Sequence, residues 1–243
     1  MGWRSGIQTV VQTLYPASCL NCGVSIESQS GLCSKCWLKS PFIAGLVCNT
    51  CGAPLPGQSA REETCDDCLA TPRQWSAARA CLLYQDNARK LVWDLKYGDR
   101  SEIATAAGGW LLASLRPILP ENPLLVPIPL HWTRLMRRKY NQSALLSRSL
   151  AAVGRFDHAP DALKRIRRTP SLAKLDYAER QACLSGAIKV NAAKANRLKH
   201  RNIVLVDDVM TTGATLSAAS EALKKHDIAS ISAVFLARAV KND

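Results

Sequence analysis

The chain has 243 residues, of which 47% are hydrophobic, and a formal net charge of +13. This length suffices for one domain of middling size plus a small one. No apolar run reaches the ~18 residues that a membrane span requires, and the N-terminus lacks the h-region of a signal peptide, so we expect a cytoplasmic protein without a membrane span.

The chain begins with a short amphipathic stretch. Apolar residues between Ile7 and Leu14 share one helical face, which predicts a short docking helix. We assign this helix and the cysteine-rich segment that follows it to an N-terminal module, residues 1–74. Residues 75–243 are predicted to form a second, larger domain.

Eight of the ten cysteines form four pairs, each with two residues between the cysteines. A two-residue gap lets both sulfurs of a tight knuckle bind one ion, and two knuckles complete the tetrahedral thiolate site of structural zinc. Disulfides are disfavoured in a cytosolic chain, and redox motifs occur singly, so the array predicts two zinc ions. The predicted ligands are Cys19, Cys22, Cys33, Cys36, Cys48, Cys51, Cys65 and Cys68.

The pairing of these knuckles has two solutions. Sequential pairing joins the first knuckle to the second and the third to the fourth, which gives two successive zinc ribbons. A crossed arrangement joins the first knuckle to the third. The short loops within each sequential pair favour the sequential scheme.

From residue 75 onward, strand and helix patterns alternate. Alternation of this kind predicts an α/β fold with a mainly parallel sheet and helices on both faces. The predicted strands cover residues 80–84, 124–130, 203–208 and 229–237, and the predicted helices cover residues 87–96, 103–115 and 141–153. Pro127 and Pro129 indicate the end of a strand and a stiff loop at the sheet's carboxyl edge, where open α/β sheets bind ligands.

Positive charge is concentrated between residues 134 and 201, which hold seventeen Lys or Arg residues and four Asp or Glu residues. Such a segment indicates a polyanionic partner, either pyrophosphate or a nucleic-acid backbone. The candidate contacts are Arg137, Arg138 and Lys139, together with the backbone at Pro129 and Leu130. A solvated helix start is an equally weighted interpretation of the three cations.

The stretch from Ile203 to Thr215 reads IVLVDDVMTTGAT. Its apolar run predicts a buried parallel strand that ends on Asp207 and Asp208, followed by a tight loop and a helix N-terminus. Backbone N–H groups and the positive dipole end of that helix suit a phosphate, and a glycine permits close approach or a positive φ. The candidate phosphate-binding residues are Val209, Met210, Thr211, Thr212, Gly213, Ala214 and Thr215.

This stretch resembles the phosphoribosyl pyrophosphate (PRPP) signature of type I phosphoribosyltransferases, in which four apolar residues and two acids precede a Thr-Thr-Gly-x-Thr loop. The resemblance implies that residues 211–215 hold the 5′-phosphate, that Asp207 and Asp208 form a catalytic pair at the ribose hydroxyls, and that Mg²⁺ accompanies PRPP. A strand with two solvated aspartates is the structural alternative. Because adjacent carboxylates repel each other, we expect replacement of both by asparagine to leave the fold intact or to stabilise it.

From about residue 16 to residue 238 the chain is similar to the ComF family, which comprises competence-associated phosphoribosyltransferase-like proteins. The further motifs that carry the resemblance are Leu-Lys-Tyr-Gly at 95–98, Val-Pro-Ile-Pro at 126–129, Arg138 with Asn141 and Gln142, and Arg-Thr-Pro-Ser at 168–171. The family often has glutamine at the position of Leu172 and asparagine at that of Cys183. Both departures fall in the segment that corresponds to a mobile loop over the active site.

Three functions fit these residues. The first is an enzyme that displaces pyrophosphate from PRPP with a nitrogen nucleophile, in which carboxylates and cations stabilise the transition state. The second, implied by the ComF resemblance, is a protein that handles single-stranded DNA with the competence machinery, in which Trp132 and Tyr140 lie among cations along a groove for the strand. The third is a PRPP sensor without turnover.

Overall fold

The computed structural model describes residues 17–27, 31–169, 179 and 183–240. The docking helix predicted between Ile7 and Leu14 lies outside the described residues, and so does Leu172. The described chain forms a first ribbon (residues 19–36), a second ribbon (residues 48–68) and an open α/β sheet. The predicted domain boundary between residues 74 and 75 stays a prediction.

Five strands form the central sheet in the order β1-β7-β6-β2-β3, and all of its neighbouring strands run parallel. These strands are β1 (Ala77–Leu83), β2 (Pro123–Pro127), β3 (Asp157–His158), β6 (Asn202–Met210) and β7 (Ser230–Arg238). A separate antiparallel pair consists of β4 (Leu163–Arg165) and β5 (Ile188–Val190). The central strands are buried almost continuously, as expected for parallel strands covered on both faces, and the predicted sheet is confirmed.

Helices connect the strands and cover the sheet. They are α1 (Ser34–Leu38), α2 (Asp66–Ala70), α3 (Asp86–Tyr97), α4 (Glu102–Leu115), α5 (Trp132–Arg138), α6 (Gln142–Gly154) and α7 (Ala214–Lys224). Two 3₁₀ helices cover Arg116–Ile118 and Ala192–Arg197. The three helices predicted over 87–96, 103–115 and 141–153 are confirmed to within one residue at each end.

The two faces of the sheet have separate apolar cores. On one face, leucines of α3, α4 and α6 pack against β6 and β7, for example Leu91, Leu111 and Leu146. On the other face, α7 packs together with cysteines of the second ribbon and Trp75. The predicted helices on both faces are confirmed, and the second ribbon contributes to the same core as the sheet.

The second ribbon and the segment between the two ribbons cover β1, which lies at one edge of the sheet. The backbone N–H of Ala78 donates to the carbonyl of Asn49 in the second ribbon at 2.9 Å. In the segment between the ribbons, the N–H of Ile43 donates to the carbonyl of Cys81 at 2.9 Å. Gly52 has a φ of 70°, and a Cβ on it would lie 3.2 Å from the backbone nitrogen of Ala80. These two parts of the chain therefore cover an edge that would otherwise be open to pairing with another chain.

Three strand boundaries differ from the prediction by two residues or more. β1 begins at Ala77 instead of residue 80. β2 ends at Pro127 instead of continuing to residue 130, because proline cannot donate to the ladder. β6 does not end on the two aspartates but continues to Met210, because Val209 pairs with Ala237 and Met210 pairs with Arg238 on β7. Both aspartates therefore lie within a strand. In the described part of the chain, no helix has the length and apolar character that crossing a membrane requires.

Candidate functional site: two cysteine clusters and a helix N-terminal pocket

The paired cysteines form two clusters of four, and the four sulfurs of each cluster lie within 4.8 Å of one another. The clusters are Cys19, Cys22, Cys33 and Cys36 in the first ribbon, and Cys48, Cys51, Cys65 and Cys68 in the second. None of these cysteines is in a disulfide. Sequential pairing is confirmed, and the crossed alternative is wrong.

The sulfur positions fit a tetrahedral metal ion. The sulfurs of Cys22 and Cys33 are 3.8 Å apart, and those of Cys51 and Cys65 are 3.7 Å apart. Four thiolates at the usual zinc–sulfur distance of about 2.3 Å would be about 3.8 Å apart at the corners of a tetrahedron. In each cluster the N–H of the third cysteine also donates to the sulfur of the first at 3.3 Å. Each cluster therefore has the ligands and spacing of a structural zinc site.

The loop between β6 and α7 (residues 211–213, the phosphate loop) requires a glycine. Gly213 has a φ of 84°, and a Cβ on it would lie 3.0 Å from Cε of Met210 and 3.1 Å from Cη2 of Trp75. In the described part of the chain, no side chain caps the first N–H groups of α7, and such groups suit an anion. A pocket at this point is lined by Asp207, residues 209–216 and Phe235. The structure thus brings the predicted phosphate-binding residues to one pocket.

Asp207 faces this pocket and is held by two donors. The hydroxyl of Ser143, at the start of α6, donates to Oδ1 of Asp207 at 2.8 Å, and the N–H of Asp208 donates to the same oxygen at 2.9 Å. Burial, and then the neighbouring Asp208, raises the pKa of Asp207 to about 7. When ionised, Asp207 can accept hydrogen bonds from sugar hydroxyls or bind a hard cation.

Asp208 has a different environment. Its Oδ2 lies 3.0 Å from Nζ of Lys96, in the last turn of α3, and the side chains of Asp208 and Lys96 are 7% and 21% exposed. Burial lowers the pKa of Lys96, but the carboxylate of Asp208 outweighs this effect and the pKa is raised overall. Asp208 does not line the loop pocket. The two acids are therefore not an equivalent pair, because only Asp208 has a buried counter-charge in direct contact.

Two arginines come together near this edge of the sheet. Arg165, at the end of β4, is 9% exposed and donates to Oγ1 of Thr169 at 2.5 Å, and Arg134 of α5 donates to the carbonyl of Thr169 at 3.0 Å. Burial, and then Arg134, lowers the pKa of Arg165 to about 10, while Asp207 opposes the shift. Among the residues that the structure describes, the buried Nε of Arg165 has no hydrogen-bond partner. Two neighbouring guanidinium groups and an unused buried donor suit an anion.

The predicted cations Arg137, Arg138 and Lys139 lie at the end of α5, so the alternative that they begin a helix is wrong. Arg138 donates to the hydroxyl of Tyr97 at 3.0 Å and stacks over its ring, and Lys139 pairs with Asp99 at 2.5 Å. These two side chains contact α3 and the turn after it.

A groove of about 380 Å³ lies beside α5. Pro129 and Leu130 line it, together with Trp132 and Arg165. Trp132 is 67% exposed. Tyr140 instead donates its hydroxyl to the carbonyl of Leu95 at 2.8 Å and packs against the core of α3, α4 and α6. Of the two aromatic residues predicted to meet nucleic acid, the structure leaves Trp132 available.

Sequence reasoning did not predict Lys96, Ser143 and Arg134 as site residues. Lys96 lies in the Leu-Lys-Tyr-Gly motif, which carries the family resemblance but predicts no role for the lysine. Ser143 follows the Asn-Gln motif, whose Asn141 caps α6 and also donates to the carbonyl of Ile128 at 3.0 Å. These two motifs could have marked Lys96 and Ser143 as candidate site residues. The distances that join these residues to Asp207 and Asp208 appear only in the fold.

Fold and site define a class of protein: a double zinc ribbon joined to a phosphoribosyltransferase-like domain. Family models agree, since residues 10–69 match a "Double zinc ribbon domain" and residues 168–242 match a "Phosphoribosyl transferase domain".

Curated relatives then identify the family. "Competence protein ComFC" of Bacillus subtilis is 30% identical over 221 residues, which cover 88% of this chain and 86% of the relative. "Competence protein F" of Haemophilus influenzae is 29% identical over 229 residues, or 91% of this chain and 96% of the relative. "DNA utilization protein YhgH" of Escherichia coli K12 is 28% identical over 229 residues, which cover 92% of this chain and 97% of the relative. The chain belongs to the ComF family.

Proposed function

We propose that the pocket at the N-terminus of α7 binds PRPP or a related 5-phosphoribosyl ligand together with Mg²⁺. The observation that carries this proposal is the uncapped start of α7 in the same pocket as Asp207. The N–H groups of the phosphate loop and of the first turn of α7 hold the 5′-phosphate. Asp207 accepts hydrogen bonds from the ribose hydroxyls, with Ser143 fixing its orientation.

The pyrophosphate end of the ligand extends toward Arg165 and Arg134. The backbone of Arg165 pairs with that of His131, just beyond the end of β2, so Arg165 lies toward the same edge of the sheet as Asp207. A diphosphate at this edge would accept a hydrogen bond from the Nε of Arg165, which has no partner among the described residues, and would offset the repulsion between the two guanidinium groups. Mg²⁺ would neutralise part of the diphosphate charge, and the ionised oxygens of Asp207 are the hard ligands that it prefers.

Isothermal titration calorimetry on the zinc-loaded, full-length protein tests the phosphate site. We expect binding of Mg²⁺-PRPP and of ribose 5-phosphate. Thr212→Val removes one hydroxyl beside the phosphate, so affinity for both ligands should fall about tenfold. Thr105→Val on the exposed side of α4 is the matched control and should change neither affinity. Equal affinities of Thr212→Val and Thr105→Val for the two ligands would contradict the assignment of the phosphate site.

A second variant separates the two ends of the ligand. Arg165→Met should weaken PRPP at least tenfold and leave ribose 5-phosphate unchanged, because only PRPP carries the diphosphate. Arg116→Met, at an exposed arginine of a 3₁₀ helix, is the control. Pyrophosphate release in the presence of a panel of nitrogenous bases then distinguishes an enzyme from a PRPP sensor.

A second candidate function is the handling of single-stranded DNA in competence, and the names of the relatives support it. The structural observation in its favour is Trp132, which is exposed beside the groove and begins the short helix that also carries Arg134 and Arg137. An exposed aromatic ring among cations is a stacking platform for bases, and the cations follow the backbone.

Trp132→Ala tests this second function. Base stacking is worth about 1–3 kcal/mol, so affinity for a short oligothymidine should fall roughly 5- to 150-fold. Trp93→Ala, at a tryptophan of α3 that is 61% exposed, is the matched control. Alanine at Arg137, Arg138 and Lys139 together should flatten the dependence of affinity on salt. Equal loss in both tryptophan variants would contradict stacking at the groove.

A further inference from the structure

The second ribbon contacts the phosphate loop through the side chain of Arg238, the last residue of β7. This side chain is 8% exposed. Its Nη1 donates to the carbonyls of Thr211 at 2.6 Å and of Met210 at 3.3 Å, and its Nη2 lies 3.7 Å from the sulfur of Cys51. One buried guanidinium group therefore connects a cysteine of the second cluster to the backbone that enters the phosphate pocket.

Two other side chains strengthen this connection. Arg73 donates to the carbonyl of Thr212 at 3.1 Å. Trp75 packs beneath Gly213 and donates its Nε1 to the carbonyl of Thr50 at 2.7 Å, inside the knuckle of the second cluster. Arg238 and Arg73 thus hold three consecutive carbonyls of the loop, those of residues 210–212, and Arg238 and Trp75 connect the loop to the second ribbon.

These contacts orient the donors that would hold a phosphate. In a planar trans peptide, a carbonyl and the N–H of the next residue point in opposite directions. When the carbonyls of Thr211 and Thr212 are directed to the arginines, the N–H groups of Thr212 and Gly213 are turned away from them. This arrangement preorganises the anion site, but only while Arg238 keeps its place.

The charge of a bound metal would fix that place. A zinc ion with four thiolates carries a net charge of about −2, which attracts a guanidinium group at 3.7 Å from one of the sulfurs. Within the described residues, no ion pair joins Arg238 to a carboxylate. Without metal, the four cysteines are no longer fixed around one point, and the sulfur of Cys51 no longer holds Arg238 in place.

We propose that Arg238 is a positioning residue that couples metal occupancy of the second cluster to phosphate binding at the loop. The coupling rests on the proposed function of the loop. It is specific to the second cluster, because the first ribbon is joined to the sheet's helices by other contacts. There, Arg100 donates to the carbonyl of Leu20 at 2.8 Å and Asn87 donates to the carbonyl of Cys36 at 3.2 Å.

The test uses ribose 5-phosphate and the full-length, zinc-loaded protein. Arg238→Gln should weaken ribose 5-phosphate at least about tenfold, because a charged donor to the loop is lost. Arg100→Gln, which removes the matching arginine at the first ribbon, should leave the affinity unchanged. Zinc release to a competing chelator, measured at equilibrium, provides the reciprocal measurement, since coupled sites must change each other's binding free energy equally. Saturating ribose 5-phosphate should reduce the extent to which one of the two zinc ions is released in the wild type, and should affect neither ion in Arg238→Gln.

The outcomes separate the coupling from the function on which it rests. A wild-type protein that binds no ribose 5-phosphate contradicts the proposed function, and the coupling with it. A wild-type protein that binds ribose 5-phosphate while both zinc ions are released to the chelator to an unchanged extent at equilibrium contradicts the coupling alone. An unchanged affinity of Arg238→Gln for ribose 5-phosphate also contradicts the coupling alone. If that variant does not fold, the zinc-release measurement on the wild type still decides.

Discussion

Lys96 and Asp208 form a partly buried ion pair beside the pocket, and Lys96→Met tests what it contributes to stability. The change leaves the carboxylate of Asp208 without its counter-charge at 7% exposure. Breaking a buried pair on one side costs about 3–5 kcal/mol, and the 21% exposure of Lys96 favours the lower end, about 3 kcal/mol. For a chain of this size, such a loss lowers the melting temperature by roughly 6–12 °C.

The partner variant should behave differently. Asp208→Asn leaves a lysine whose flexible stem can bring its ammonium group to water, so we expect a smaller loss, about 1–2 kcal/mol. The double variant should be more stable than Lys96→Met alone, because no unpaired charge remains. The expectation that asparagine at both acids leaves the fold intact or stabilises it stays a prediction, and the counter-charge at Lys96 adds a cost at Asp208 that this expectation did not include.

Urea denaturation of the four proteins gives the coupling energy as a double-mutant cycle. Lys90→Met is the control, because Lys90 pairs with Asp94 at 2.6 Å on the surface of the same helix, with 49% of the lysine side chain exposed. That pair should contribute about 0.3–0.5 kcal/mol. The reasoning is refuted if Lys96→Met and Lys90→Met cost the same, or if the double variant is less stable than Lys96→Met.

Three further predictions concern the metal sites and Asp207. Purified without chelator, the protein should carry about two zinc ions per chain, and fewer than one by elemental analysis would contradict the two-ribbon account. Cys33→Ser should lower the zinc content to about one ion and leave binding of ribose 5-phosphate in place, whereas loss of both ions would show that the clusters depend on each other. The raised pKa of Asp207 means that its ionisation costs stability as pH rises from about 4 to about 7. In urea denaturation, the free energy of unfolding of Asp207→Asn should therefore rise relative to that of the wild type between pH 5 and 8. A difference in free energy that is independent of pH would contradict the raised pKa of Asp207.

The sequence predicted most of the fold because its periodic patterns are strong. The helices over residues 86–97 and 102–115 follow from apolar residues at helical spacing, and cysteine spacing gave the sequential clusters. The helix α5 was not predicted, because its seven residues leave Trp132, Leu135 and Met136 exposed and offer no amphipathic signal. Strand β6 was predicted too short, because the ladder with β7 overrides the local polarity of the two aspartates.

The site residues that are neighbours in sequence were predicted, but the contacts between distant parts of the chain were not. The loop and its glycine were readable from one continuous stretch, and Gly213 has the positive φ that was expected. Lys96 lies more than one hundred positions before Asp208, and Arg73 is equally remote from Thr212. Contacts of this kind depend on strand order and on the packing of the ribbon, which a local pattern does not contain.

The central claim is that a 5-phosphoribosyl ligand binds at the start of α7, and a crystal structure with PRPP and Mg²⁺ tests it most directly. We predict density for the 5′-phosphate within about 2.7–3.2 Å of backbone nitrogens in residues 212–215, with a ribose hydroxyl at Asp207. The claim is contradicted if the loop is empty at saturating ligand, or if the 5′-phosphate lies on Arg134 and Arg165 instead.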